Sequence, residues 1–153
     1  MNLINTKTGE KIAGIVEKVD KKELKKLAKQ KNFVFDWSLE AGNQVFKIRQ
    51  EDKKEILGLI SIIDVFEEFR IHINLIESAS EHRGKNKLIQ NIPGCLIAYA
   101  CQISFKKGYE GFVSLTPKTR LISYYRDHYG FIQMGTQMAI YYEISNSIIL
   151  KYI

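Results

Sequence analysis

Residues 82–108, HRGKNKLIQNIPGCLIAYACQISFKKG, join a basic polar stretch to an apolar one. Arg83, Lys85 and Lys87 come first; Pro93 and Gly94 then open the apolar run. A helix N-terminus carries unpaired N–H groups and partial positive charge. Lysines placed just before such a terminus make a cradle for an anion, phosphate above all. The spacing predicts a helix capped by Asn91, with Pro93 tolerated in its first turn. Leu96, Ile97, Ala100, Cys101 and Ile103 form its apolar band, and Gly108 ends it behind Lys106 and Lys107.

The other reactive residue types are scattered. Cys95 and Cys101 lie six apart and point to different sides of that helix, so they read as small buried thiols rather than a disulfide. His72, His82 and His128 show no metal-ligand spacing, and no metal site is expected. His72 reads as a satisfied or exposed histidine, His82 and His128 as surface residues. The formal charge of +6 suits an anionic partner. Much of the lysine excess, Lys21, Lys22, Lys25, Lys26 and Lys29, covers one face of a short helix. Without interleaved aromatics and arginines, that face argues against nucleic acid as the partner.

These residues need elements to hold them. Ile12–Val19 reads as a strand, and Asp20 with Glu23 caps a helix whose stripe is Leu24, Leu27 and Ala28. Phe33–Trp37 fits a strand or a core-packed turn. Val45–Arg49, Glu55–Phe66 and Arg70–Ile76 form a meander, the last with Ile71, Ile73 and Leu75 on one face. After the helix comes a strand, Gly111–Leu115. Thr116-Pro117 then starts a second helix with Leu121, Ile122, Tyr125 and Tyr129 on one face, stopped by Gly130. Phe131–Met134 and Met138–Glu143 read as two further strands, and Ser145–Ile153 as either a helix or a strand. The crossover through the helix makes the strands at 70 and 115 parallel neighbours.

This element order over nearly the whole chain resembles the GNAT superfamily of N-acetyltransferases, which use acetyl-coenzyme A. Three pieces carry it: RIHINLIES entering the basic loop and helix, GFVSL leading to a helix, and LISYYRDHYGFIQMG. The resemblance implies an α/β (α+β) fold: a mixed, mostly antiparallel sheet of about six to seven strands with helices on both faces and a parallel central pair. It implies acetyl-CoA as co-substrate, wedged between that pair. Pantetheine falls near Leu75, Ile76 and Ser78, and the pyrophosphate near Asn91, Ile92, Gly94 and Cys95, with Lys85 and Lys87 as phosphate partners. The family loop Gln/Arg-x-x-Gly-x-Gly/Ala is not kept: Leu88, Asn91 and Pro93 stand there, and Pro93 supplies no N–H.

By the same resemblance Tyr125 is the general acid, with Tyr124 as its alternate, although Tyr125 also sits on a packing stripe. Glu77 is either a base acting through water or a solvated strand-end carboxylate. Lys118 stands where many family members carry a cofactor-side asparagine, and reads either as a phosphate contact or as a helix-start lysine. The expected reaction is acetylation of a primary amine. The alternatives are a GNAT-fold binding module without catalysis and, less favoured, a nucleic-acid-binding domain.

The 153 residues fit one domain, 1–153, acting as a monomer or homodimer. No apolar run reaches the roughly 18 residues of a membrane span. The first seven residues lack an apolar signal core, so a cytoplasmic protein with no membrane partner is expected.

Overall fold

The structure is a computed structural model that describes residues 1–153. Nine strands form one sheet in the order β6-β1-β2-β3-β4-β5-β7-β9-β8. They are β1 (Asn2–Asn5), β2 (Lys11–Val19), β3 (Gln44–Gln50), β4 (Gly58–Val65), β5 (Arg70–Ser78), β6 (Ile89–Gln90), β7 (Val113–Leu115), β8 (Ile132–Met134) and β9 (Gln137–Ile140). The helices are α1 (Lys21–Leu27), α2 (Ile92–Lys106), α3 (Ile122–Tyr129) and α4 (Tyr142–Tyr152). Strand β5 pairs antiparallel with β4 and parallel with β7, as the crossover through α2 requires.

The strand count exceeds the expected six or seven because β1 and β6 are short. Two or four residues display no readable alternation, yet β1 pairs with both β2 and β6. The meander stands as read, except that β4 begins only at Gly58. Phe33–Trp37 is not a strand: it is irregular and enters a 3₁₀ turn at Trp37–Glu40. Strand β9 stops at Ile140 rather than Glu143, because α4 starts at Tyr142 and takes the ambiguous tail. Thr116 caps nothing; a 3₁₀ turn at Thr119–Leu121 leads into α3.

Two cores flank the sheet. The larger holds 24 buried residues, with α2 at its centre. Buried residues circle that helix, from Ile92 through Leu96, Ile97 and Cys101 to Ser104, as expected of a helix covered on all sides. The smaller core gathers Val19, Leu24, Leu27, Phe33, Trp37, Val45, Leu59 and Ala79 under α1. Trp37 is 0% exposed at its centre.

Strict alternation along β5 fails at one residue. Ser61 faces Leu75 and Ile62 faces Ile73, so Asn74 is an extra residue in the ladder, a β-bulge. The bulge inverts the side-chain phase. Ile71 and Ile73 point into the large core; beyond the bulge Ile76 packs there and Leu75 turns to the small core. The sequence reading placed Leu75 with Ile71 and Ile73, and the bulge corrects it.

His82 is the other correction. Expected at the surface, it is 6% exposed, at the end of the turn Ser80–His82. Burial holds its imidazole below the ordinary pKa, although Glu55 and Glu81 pull the other way.

Helix α4 approaches the start of α2 at Gly94, where an added Cβ would intrude on the Tyr152 ring. Gly94→Ala is expected to cost about 1–3 kcal/mol by overpacking, read as a lower urea midpoint. Tyr152→Leu in the same chain should recover much of that loss.

Candidate active site

The bulge lies where β5 loses its second neighbour. Strand β7 pairs with β5 only along Ile71–Ile73, opposite Val113–Leu115. Beyond Ile73, β5 keeps its β4 ladder through Ser78 and has no strand on its other side. Ile71 N–H donates to Phe112 O on the β7 side, whereas Ala79 N–H donates to Leu57 O on the β4 side. Alternation back from Ala79 turns the peptide groups of Ser78 and Ile76 toward the opening. Two of the three residues expected along pantetheine therefore offer backbone groups there. Leu75 lines the opening too, but its peptide group belongs to the β4 side.

The opening is a cleft of about 730 Å³. Residues Ile73–Ser78 form one wall, and Leu115–Lys118, Leu121, Tyr124 and Tyr125 the other. Phe35 closes one side, with Lys118 Nζ 5.4 Å from its ring centroid. A second cleft of about 640 Å³ adjoins it, sharing Ser78, Arg83, Gly84, Pro93 and Tyr124. Arg83, Lys85, Lys87, Gln90 and Asn91 make this second cleft polar and basic. An apolar slot thus continues into a cationic one, at the place where the sequence put an anion cradle.

Asn91 holds the N-cap position of α2 but does not cap it. It adopts a left-handed conformation (φ 75°), and its side chain donates to Asn2 O at 3.0 Å. Cys95 N–H closes the first helical turn on Asn91 O and is not free for a ligand. Pro93 has no N–H, so the helix-end rule leaves Ile92 and Gly94 as donors in the first turn. The Ile92 side chain itself is fully buried.

Tyr125 sits at the junction of α3, the cleft and the core. Its ring meets Phe131 edge-on at 5.8 Å, and its hydroxyl has no partner within the protein. Burial, helped by Tyr124, pushes its pKa up to about 12. The packing stripe and the cleft position are thus both real. Tyr124 lines both clefts and has its hydroxyl 3.3 Å from that of Tyr129.

Glu77 is not a solvated strand-end carboxylate. It is 5% exposed and accepts hydrogen bonds from Val34 N (2.6 Å), Phe35 N (3.3 Å) and Trp37 Nε1 (2.9 Å). Arg83 also pairs with it at 3.6 Å. One carboxylate thus ties the irregular 33–37 segment and the basic loop to β5.

His72 is satisfied, as expected: its Nδ1 lies 2.8 Å from Ser114 Oγ and 3.1 Å from an Arg70 guanidinium nitrogen. Burial, then Arg70, lowers its pKa. The bulge residue Asn74 donates to Glu40 Oε1 at 2.7 Å. The sequence reading missed Arg83 as a partner of Glu77, and missed Asn74 and Arg120 as cleft residues. A tryptophan in a segment lacking periodicity was the available sign that a buried acceptor was needed nearby.

No family model and no curated protein matches the chain. Solved structures do match. A chimera of the spermidine N-acetyltransferase SpeG from Vibrio cholerae and hSSAT is 13% identical, with a TM-score of 0.64 over 88% of this chain and 98% of that one. AtaTR bound with AcCoA gives 0.62 at 12% identity over 92% and 99%. An IAA acetyltransferase from Bacillus cereus gives 0.57 at 12% identity over 84% and 99%. The fold is the GNAT acetyltransferase fold.

Two outcomes follow from this geometry. Glu77→Gln exchanges a carboxylate oxygen for an amide facing N–H donors, and should destabilise by about 1–3 kcal/mol in denaturant titrations followed by Trp37 fluorescence. Separately, burial raises Cys95 to about 11 and Cys101 and Tyr125 to about 12. Unfolding returns thiols to about 8.5 and phenols to about 10. The folded state then holds protons that the unfolded state releases. This contribution is complete below pH ~8.5 and falls as pH rises through ~9 to ~12, so the melting temperature should drop across that window.

Proposed function

We propose that the protein is an acetyl-CoA-dependent N-acetyltransferase. The observation that carries this is the continuity of the two clefts: an opened β5/β7 pair leading directly into a lysine-bearing cavity before α2. Acetyl-pantetheine lies along Ile76 and Ser78, whose backbone groups pair with its amides. The phosphates lie among Arg83, Lys85, Lys87 and Asn91, with the Ile92 and Gly94 N–H groups. Lys118 stays near the cofactor side, stacked on Phe35.

A neutral primary amine attacks the thioester carbonyl, the tetrahedral adduct collapses, and the C–S bond breaks. The proton lost by the amine balances the one gained by the thiol. Tyr125 donates to the departing sulfur. With a pKa of about 12 it remains protonated at working pH. Its tyrosinate is a stronger base than a thiolate, so Tyr125 acts by hydrogen bonding and relay rather than by net loss of its proton. Glu77 acts as a positioning residue, because its oxygens already accept from the 33–37 segment. The acceptor class is a primary amine, on a small molecule or a protein.

A binding module without catalysis has one observation in its favour: Pro93 and the occupied Cys95 N–H thin the donors at the α2 start. The deciding experiment has two stages. Acetyl-CoA should raise the melting temperature, where tripolyphosphate and single-stranded DNA do not; no shift at saturating acetyl-CoA overturns the proposal. Thiol release over an amine panel should then fall about 100-fold in Tyr125→Phe with acetyl-CoA stabilisation unchanged. Binding without thiol release from any amine would leave the module reading, and an unchanged rate in Tyr125→Phe would remove Tyr125 from the acid role.

A further inference from the structure

His82 is a buried imidazole without a partner. Both ring nitrogens are out of contact with solvent and neither makes a hydrogen bond. An orphaned buried polar group carries a desolvation cost, and native structures usually satisfy it. Beside it stand two exposed carboxylates, Glu55 from the segment before β4 and Glu81 from the adjacent turn. One donor atom from each of Glu55, Glu81 and His82 lies within 4.8 Å of the other two. Neither carboxylate forms an ion pair with a lysine or arginine, although Lys53 and Lys54 are neighbours in sequence.

We propose that Glu55, Glu81 and His82 form a divalent metal site of the zinc class. The donor set is one imidazole and two carboxylates, which suits Zn²⁺ or Mn²⁺ over Ca²⁺, for which an all-oxygen set is usual. Metal–ligand distances near 2.0–2.2 Å require the donors to close by about an ångström or more. The two exposed glutamates have the rotamer freedom to do so; the buried imidazole is the fixed member. Ligation satisfies one of its orphaned nitrogens, and water completes the coordination.

The placement gives the site a task. Glu55 leads into β4, while Glu81 and His82 end the turn after β5, so the ion clips these two chain segments together. His82 also lines the basic cleft, and Arg83, Lys85 and Lys87 follow directly. The ion therefore anchors the stem of the cationic loop, as a structural rather than a catalytic metal. The site stands independently of the acetyl-transfer reading.

The test is Zn²⁺ binding to the metal-free full chain by calorimetry, with Mn²⁺ and Ca²⁺ as comparison arms. One Zn²⁺ per chain is expected, with Ca²⁺ bound at least tenfold more weakly. Glu55→Gln with Glu81→Gln alters exposed positions only, and should weaken Zn²⁺ at least tenfold while leaving the metal-free melting temperature within a degree or so. His82→Gln should also lose the ion; should that variant fail to fold, the glutamate pair decides. Absence of stoichiometric Zn²⁺ binding, or equal affinity in the double-glutamine variant, overturns the site. Both readouts are independent of acetyl-CoA binding and thiol release, so their failure and that of the proposed reaction are told apart.

Discussion

One extra residue in β5 sets the geometry of the molecule. Asn74 interrupts the β4–β5 ladder, and three consequences coincide there. The side chains change phase, so a single strand feeds both cores. The peptide groups change phase as well, so those of Ile76 and Ser78 face the opening while those of Leu75 and Glu77 face β4. The parallel pair with β7 is confined to the residues before the bulge. A sheet normally punishes unpaired backbone; here the unpaired stretch is the feature that a ligand with amides of its own can complete.

A splayed strand needs support that does not come from its missing neighbour. Glu77 supplies it from the other face. A buried carboxylate is tolerable only when its oxygens are fully engaged, and here an indole, two backbone amides and a guanidinium engage them. The bond network also runs outward. Through Val34 and Phe35 it fixes one lip of the cleft, and through Arg83 the root of the basic loop. The cleft walls are thus held by polar chemistry on one side and by the apolar packing of α2 and α3 on the other.

The meander, the crossover helix and the parallel pair were legible because each rests on a long periodic run or an obligatory handedness. The basic loop was legible as charge followed by a helix start. What escaped notice depends on single residues. Nothing local marks Asn74 as the residue that breaks alternation, so Leu75 was set on the wrong face. Glu77 and His82 look like ordinary polar residues at a strand end and in a loop. Glu77 takes its partners from Val34–Trp37, about forty residues away, and His82 is buried with no hydrogen-bond partner at all. Asn91 had the composition of a helix cap, but its side chain is claimed by Asn2, a contact across 89 residues. Periodicity reports faces and elements, whereas the polar details of a site are long-range.

The start of α2 is stitched from both extremities of the chain. Asn91 donates to Asn2 O, Asn2 donates to Lys151 O, and Cys95 Sγ meets Tyr152 O at 3.7 Å, while the Tyr152 ring covers Gly94. During synthesis the meander and α2 leave the ribosome well before residue 152. The start of α2 then waits for its last support, and stays unfinished while most of the sheet can already have formed. While residues 151 and 152 are still inside the ribosome, the start of α2 lacks the Tyr152 ring over Gly94 and the Lys151 carbonyl that holds Asn2.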